Sequence, residues 1–248
     1  NLISNAVKYS PAGSAINISG NVAGGIAFQQ VTSTDDEGTV TLVSSPTVVQ
    51  TGSAAAVLIA GDGTPIIVGL VADITDTTDE DYDESLQYSF VNQGTISSNG
   101  TLDDVGGTGI RVENAALTSG FNNTGAISTV TYRSAVPETG TNVAGTVGAA
   151  TGVVFGSGAD VSTVVNSGSI GSLSYEASDV AFLDEDAPLD ANMVTAYGVS
   201  IESGANTPEL TNEGTISAAL SGRLGQAYAL VDQSGSLAVI NNQGFIYA

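Results

Sequence analysis

The stretch Leu210-Thr-Asn212-Glu-Gly214-Thr-Ile216 decides the architecture, because the chain spells its pattern five times. The other copies are Phe90-Val-Asn92-Gln-Gly94-Thr-Ile96, Phe121-Asn-Asn123-Thr-Gly125-Ala-Ile127, Val164-Val-Asn166-Ser-Gly168-Ser-Ile170 and Ile240-Asn-Asn242-Gln-Gly244-Phe-Ile246. Successive motif asparagines stand 31, 43, 46 and 30 residues apart. A unit of this size cannot bury its own apolar face, so it stacks on its neighbours and builds a core that grows in one direction. In extended chain the apolar residue two before Asn and the Ile four after it fall on one face and point into a common interior. The glycine supplies the bend between them, either by a positive φ or by letting the backbone approach another rung closely. Each Asn is then placed to bond its equivalents above and below as an interior amide ladder.

A second element lies upstream, as Gly109-Ile-Arg-Val112, Gly152-Val-Val-Phe155 and Gly198-Val-Ser-Ile201, each Gly 14 residues before its motif Asn; Ala229-Leu-Val-Asp232 is a fourth, weaker copy. β-Branched residues dominate and helical periodicity is missing, so the unit reads strand, turn, strand, Asn-x-Gly turn, strand. The fold class expected is all-β, a right-handed parallel β-helix (β-solenoid) with irregular repeats and loop insertions. Coils of roughly 20 to 30 residues rising about 4.8 Å each predict on the order of ten rungs and a rod about 50 Å long. Insertions are expected at Asp73 to Ser85, Thr129 to Ala149 and Ser172 to Asn192. Residues 1–70 read as a less regular beginning of the same solenoid, or a cap, with Ala56-Val-Leu-Ile59 in the Gly-Ile-x-Val slot; residues 71–248 carry the regular repeats. A separate N-terminal globular domain is the alternative.

Composition narrows function more than it defines it. Of 248 residues 42% are hydrophobic, enough for a continuous core. Four Lys and Arg against 26 Asp and Glu leave a net charge of -22, which repels nucleic acid and anionic membrane. The chain has neither Cys nor His, which removes thiol chemistry, zinc and haem ligation and His-dependent nucleophile systems. With no initiator Met, no leader pattern and no run of 18 apolar residues, the expectation is a mature or trimmed part of a longer protein, any membrane anchor lying outside these residues.

Acidic clusters are the chemical concentrations that remain: Asp35-Asp-Glu37, Asp73 with Asp76, Asp79-Glu-Asp-Tyr-Asp-Glu84, and Asp184-Glu-Asp186 with Asp190. Asp79, Asp81 and Asp83 open like an EF-hand loop, but Glu84 and Phe90 stand where Gly and Glu are required. A looser calcium site is therefore the expectation at Asp79, Asp81, Asp83, Asp184 and Asp186, with a solvated acidic loop as the plainer reading. Lyases that act on uronates need a basic proton abstractor, and four dispersed cations on so acidic a chain are poor material. No carboxylate pair stands out for a glycosidase either. Tyr82, Tyr88, Tyr132, Tyr175, Tyr197, Tyr228 and Tyr247 offer a stripe for stacking on sugars, although only Tyr197 and Tyr228 keep a fixed place, next to the Gly-Ile-x-Val slot.

The segment Gly152-Val-Val-Phe-Gly-Ser-Gly-Ala-Asp-Val-Ser-Thr-Val-Val-Asn-Ser-Gly-Ser-Ile170 resembles passenger regions of Gram-negative autotransporter-domain proteins, and so does Ala229-Leu-Val-Asp-Gln-Ser-Gly-Ser-Leu-Ala-Val-Ile-Asn-Asn-Gln-Gly244. The resemblance covers roughly residues 50–248. It implies a β-solenoid exported to the outer cell surface of a Gram-negative bacterium. Asn1-Leu-Ile-Ser-Asn5-Ala-Val-Lys8-Tyr-Ser-Pro11 is similar to the ATP-binding N-box of sensor histidine kinases, but the Asp-x-Gly-x-Gly box and glycine-rich lid that must follow do not occur, so the match is set aside. The function expected is an extracellular structural or adhesive protein that associates with itself in filaments or a surface layer, without catalysis. The alternatives are a monomeric adhesin for glycans or matrix and a polysaccharide-active enzyme. Solenoid ends carry unpaired strand edges, which is the physical ground for self-association.

Overall fold

The computed structural model describes residues 16–34, 40–72, 74–100, 105–133, 148–176, 194–221 and 225–248. The described chain is all-β apart from one 3-10 turn, Glu84–Leu86, and its strands form parallel sheets. One sheet has the order β1 (Ile16–Ile18), β6 (Ala55–Ala60), β10 (Gly107–Glu113), β14 (Ala150–Phe155), β18 (Val194–Ile201), β21 (Gly225–Asp232). The second runs β2 (Ile26–Phe28), β8 (Phe90–Asn92), β12 (Phe121–Asn123), β16 (Val164–Asn166), β19 (Glu209–Asn212), β22 (Val239–Asn242). The third runs β5 (Thr47–Thr51), β9 (Thr95–Gly100), β13 (Ala126–Arg133), β17 (Ser169–Glu176), β20 (Thr215–Ser221), β23 (Phe245–Tyr247). A shorter sheet joins β7 (Ile66–Val68), β11 (Ala115–Leu117) and β15 (Ala159–Val161) between the first two. The antiparallel hairpin β3 (Val31–Thr34) and β4 (Val40–Ser44) is inserted between β2 and β5.

The described residues thus visit the three large sheets in the same order six times, and every pass lies beside the one before it. This corrects the expected count of about ten rungs. A pass uses three principal strands, often a fourth, and their corners, so it takes the whole 30 to 46 residue spacing of the motif. Six strands at about 4.8 Å spacing make each sheet roughly 24 Å across, half the expected rod.

Register explains why the motif has its spacing. Phe90, Phe121, Val164, Leu210 and Ile240 are Cα partners in one column, and Ile96, Ile127, Ile170, Ile216 and Ile246 in another. The first pass joins both columns through Ile26 and Val48, although it carries no copy of the motif. Val57, Ile110, Val153, Val199 and Leu230 form a third column, which places Ala56 and Ala229 level with Gly109, Gly152 and Gly198. Inner faces of the sheets contribute to one large buried apolar cluster, with Ala150, Ala196 and Ala218 forming a second, small one. Phe90 stacks on Phe121 at 4.7 Å between ring centroids, with Phe28 and Phe155 packed at either side of that pair. Burying each such side chain contributes about 1.5–3 kcal/mol, which is what holds passes together whose local contacts are few.

β13 and β17 extend to Arg133 and Glu176, so Thr129–Arg133 and Ser172–Glu176 are strand where insertions were expected to begin. Their inward side chains are hydroxyls. Thr129 Oγ1 donates to the Thr151 carbonyl at 3.0 Å, and the Thr131 and Ser174 hydroxyls bond each other at 2.7 Å, next to Ala150 and Ala196 of the first sheet. Small polar side chains serve here because the facing sheet leaves little room and its backbone needs partners.

Candidate functional site

The Asn-x-Gly corner is the most ordered polar feature of the molecule. Asn92 Nδ2 donates to Asn123 Oδ1 at 2.8 Å, and the same bond recurs at 2.7 Å from Asn123 to Asn166, Asn166 to Asn212 and Asn212 to Asn242. All four donating asparagines are fully buried. The main chain repeats just as strictly. The carbonyls of Asn92, Asn123, Asn166 and Asn212 each accept two N–H groups from the next pass, as Asn123 does from Ser167 and Gly168, and the Gly carbonyl accepts the N–H three residues beyond the next pass's Asn, as Gly125 does from Ser169, three after Asn166. Buried amides are therefore paired along the column, as burial of polar groups demands.

The motif glycines act by close approach. None of Gly94, Gly125, Gly168, Gly214 and Gly244 is among the residues with positive φ. A Cβ on Gly168 would fall on the Gly125 carbonyl oxygen, and one on Gly214 on that of Gly168. The left-handed backbone sits elsewhere, at Gly158 and Gly204 between the first two sheets, where Asn114 (φ 47) takes the same role in an earlier pass.

Arg111 is held by two carboxylates. Its Nε donates to Glu113 at 2.6 Å, while both terminal nitrogens reach Glu202, two passes away, at 3.0 and 2.9 Å. Burial works against its charge, but the hydrogen bonds it donates to Glu202 and then to Glu113 outweigh it and hold the guanidinium above its ordinary range. The clamp crosses the intervening pass over Gly156, where a side chain would press on Arg111 and Glu202. Arg111 is thus committed to a structural bridge and is not presented as a proton abstractor.

Of the carboxylates expected at a calcium site, Asp79 and Asp83 serve as local caps. Asp79 Oδ1 accepts the Asp81 N–H, Asp83 Oδ1 accepts the Ser85 N–H at the start of the 3-10 turn, and Asp76 accepts from the Thr78 amide and hydroxyl. Those two bonds, the amide first, hold the Asp76 carboxyl below its usual range. Among the described residues no three His, Cys, Asp or Glu side chains converge as a metal-ion site. Asp184 and Asp186 lie outside the described residues, as do Asp35, Glu37, Asp73, Asp190, Asn5 and Lys8. The 69–89 insertion closes over the second sheet: the Ser85 carbonyl accepts the Asn122 amide, and Val91 beneath it is fully buried. Tyr88 in this insertion has its pKa raised, by burial first and then by Glu84, Glu213 and Tyr82.

Tyrosines pair along the outside. Tyr197 stacks on Tyr228 at 5.7 Å and Tyr132 on Tyr175 at 5.4 Å, both pairs within 12° of parallel. Tyr132 and Tyr175 are each 40% exposed. The Tyr132–Tyr175 pair is a correction: these tyrosines do hold a fixed place, nine residues after Asn123 and Asn166. Set against protein-family models, curated proteins and solved structures, the chain finds no match. Function therefore has to be argued from this geometry.

Proposed function

We propose that the passes coil as a right-handed parallel β-solenoid and that the protein is a structural or adhesive element of the outer surface of a Gram-negative bacterium, similar to autotransporter passengers, associating lengthwise with further solenoid. The observation that carries this reading is the identity of the contacts between passes. From the second pass on, the same Asn, Gly and Ile positions join one pass to the next, so the surface is made by repetition, and a strand edge that ends such a stack is a site for more of the same. A net charge of -22 keeps such bodies apart sideways at low salt, and screening lets them approach.

Electron microscopy of the purified protein across protein and NaCl concentrations, in calcium and then in chelator, tests the reading. Filaments or sheets with a regular repeat support a structural role, and their loss on chelation assigns calcium to the acidic loops. Separate particles under every condition refute self-association. The stacked, exposed Tyr132–Tyr175 pair favours a second reading, a display module that stacks aromatic faces on sugar rings. Glycan-array binding that disappears in Tyr175→Ala supports that reading instead.

A further inference from the structure

The three large sheets turn different outer faces to their surroundings. The second is overlaid by the 69–89 insertion, so Val91 and Asn122 are buried although they lie on its outer side. The first carries the bridge from Arg111 to Glu113 and Glu202. Among the described residues the third has neither cover nor charge. Its inward column runs from Val48 to Ile246, so the alternate positions of each strand face out, and in all six strands none of them is Asp, Glu, Lys or Arg, in a chain with 26 acidic residues. Arg133 and Glu176, the charged residues of these strands, end β13 and β17 at positions of the other parity. Large side chains stand open on this face: Val130 is 37% exposed, and Tyr132 and Tyr175 are each 40% exposed.

The face also has relief. Along β13 and β17 the small Ser128 and Gly171 are followed outward-facing by Val130 and Leu173 and then by Tyr132 and Tyr175, each set being cross-strand partners. A Cβ on Gly171 would meet only the Ser217 hydroxyl, at 3.3 Å. One half of the face is therefore low and the other high. We infer that this face is an interface with a second copy of the chain, the two stacks lying side by side and parallel about a two-fold axis that runs along them. That rotation reverses strand direction at the contact, so the tyrosines of each copy sit over the serine and glycine rows of the other. Charge selects the occupant. Bodies of net charge -22 repel one another wherever carboxylates meet, and interface cores are depleted of charge and enriched in tyrosine. The eight residues of β13 span about 23 Å, so with a sheet roughly 24 Å across two copies bury about 1,100 Å² together, above the roughly 1,000 Å² of a specific interface. Tyr132 and Tyr175 stack on each other at 5.4 Å, which leaves each ring one face at most for a flat sugar, so matching relief fits better than a glycan. Passes added at either end of such a stack lengthen the face without covering it. The inference goes beyond lengthwise association and does not depend on it.

Sedimentation equilibrium of the full chain at low salt and in 0.5 M NaCl is the test. A monomer–dimer equilibrium that tightens with salt is expected, because screening removes the repulsion between acidic bodies. Val130→Glu weakens dimerisation about tenfold or more by setting like charges inside the contact. Ile67→Glu adds the same charge at a 53% exposed site on the short sheet of β7, and changes dimerisation less than about twofold. Circular dichroism checks that both variants fold. The chain has no cysteine, so Ser128→Cys carries a single thiol; a bismaleimide that spans the about 10 Å between packed sheets joins two copies of it, and leaves Ile67→Cys unjoined. Monomers at every salt and protein concentration overturn the inference, and so does equal weakening by the two Glu variants. Glycan-array binding by a monomer, lost in Val130→Glu, also overturns it and gives the face to a neutral polysaccharide. Microscopy separates the two modes of association: filaments without side-by-side pairs sink only this inference, and pairs without filaments sink only lengthwise association.

Discussion

Replacing Asn166 by Leu tests whether the amide ladder or the apolar columns hold the passes in register. The side chain is fully buried, accepts from Asn123 and donates to Asn212, both at 2.7 Å. Leucine has similar bulk and removes both bonds. Asn123 Nδ2 keeps longer contacts to the Gly125 and Ser169 carbonyls at 3.3 Å, but Asn212 Oδ1 loses its described donor inside a buried site. An unsatisfied buried acceptor costs about 1–3 kcal/mol and each lost hydrogen bond about 1 kcal/mol, so the expected loss is about 3 kcal/mol, partly offset by the added apolar surface. The same change at exposed Asn242 leaves Asn212 Nδ2 with the Gly214 and Phe245 carbonyls and admits water, so about 0.5 kcal/mol is expected there. Repeat arrays need not unfold in one step, so urea titration is paired with hydrogen exchange at Ser167 to Ile170. Equal effects at the two positions, or an Asn166→Leu effect below about 0.5 kcal/mol, would refute the reasoning and leave the columns alone responsible.

Gly168→Ala puts a Cβ on the Gly125 carbonyl and is expected to cost about 3 kcal/mol in urea titration, more than the same change at Gly63, where the space is open although φ is positive. Glu202→Gln halves the charge that clamps Arg111 across two passes; about 1 kcal/mol is expected at low salt and less in 0.5 M NaCl, because the side chains are about a third exposed. Asp232 has its pKa lowered: burial pushes it up, but the Ser234 hydroxyl and the Leu237, Ser234 and Gly235 amides outweigh burial. Its folded value lies below the unfolded one of about 3.9, so its stabilisation of the last pass is present above that pH and is lost as pH falls through the folded value. Faster exchange at Ser234 and Gly235 below pH 3.9, suppressed in Asp232→Asn because that variant has already lost the carboxylate, is the check.

How far the fold can be read in the chain follows from what repeats. Five copies of one register are enough to define columns of Asn, Gly and Ile, because side chains that alternate on a strand and recur in stacked passes must meet their own kind. Length per pass is less legible. The constant 14-residue offset puts Gly-Ile-x-Val and Asn-x-Gly-x-Ile in one unit, but nothing local says that one circuit takes the whole distance between motifs, and the second sheet's partners are set only when distant segments pair. The Tyr132–Tyr175 stack was legible as a nine-residue offset from Asn, yet its meaning depended on β13 and β17 running further than the polar sequence after Thr129 and Ser172 suggested. The acidic residues show the opposite limit: Asp79, Asp81 and Asp83 look like ligands in a row, but turn geometry aims Asp79 and Asp83 at backbone amides.

By itself the sequence determined an all-β chain of parallel strands, an interior asparagine column, corners that require glycine, and a net charge of -22. Those are properties of composition and period, and each unit carries them alone. Tertiary structure decided the number of described passes, the direction of the amide ladder, and the bridge from Arg111 to Glu202 over Gly156. Each of these depends on which residue a distant strand brings alongside, and that is settled by pairing between passes rather than by any single one.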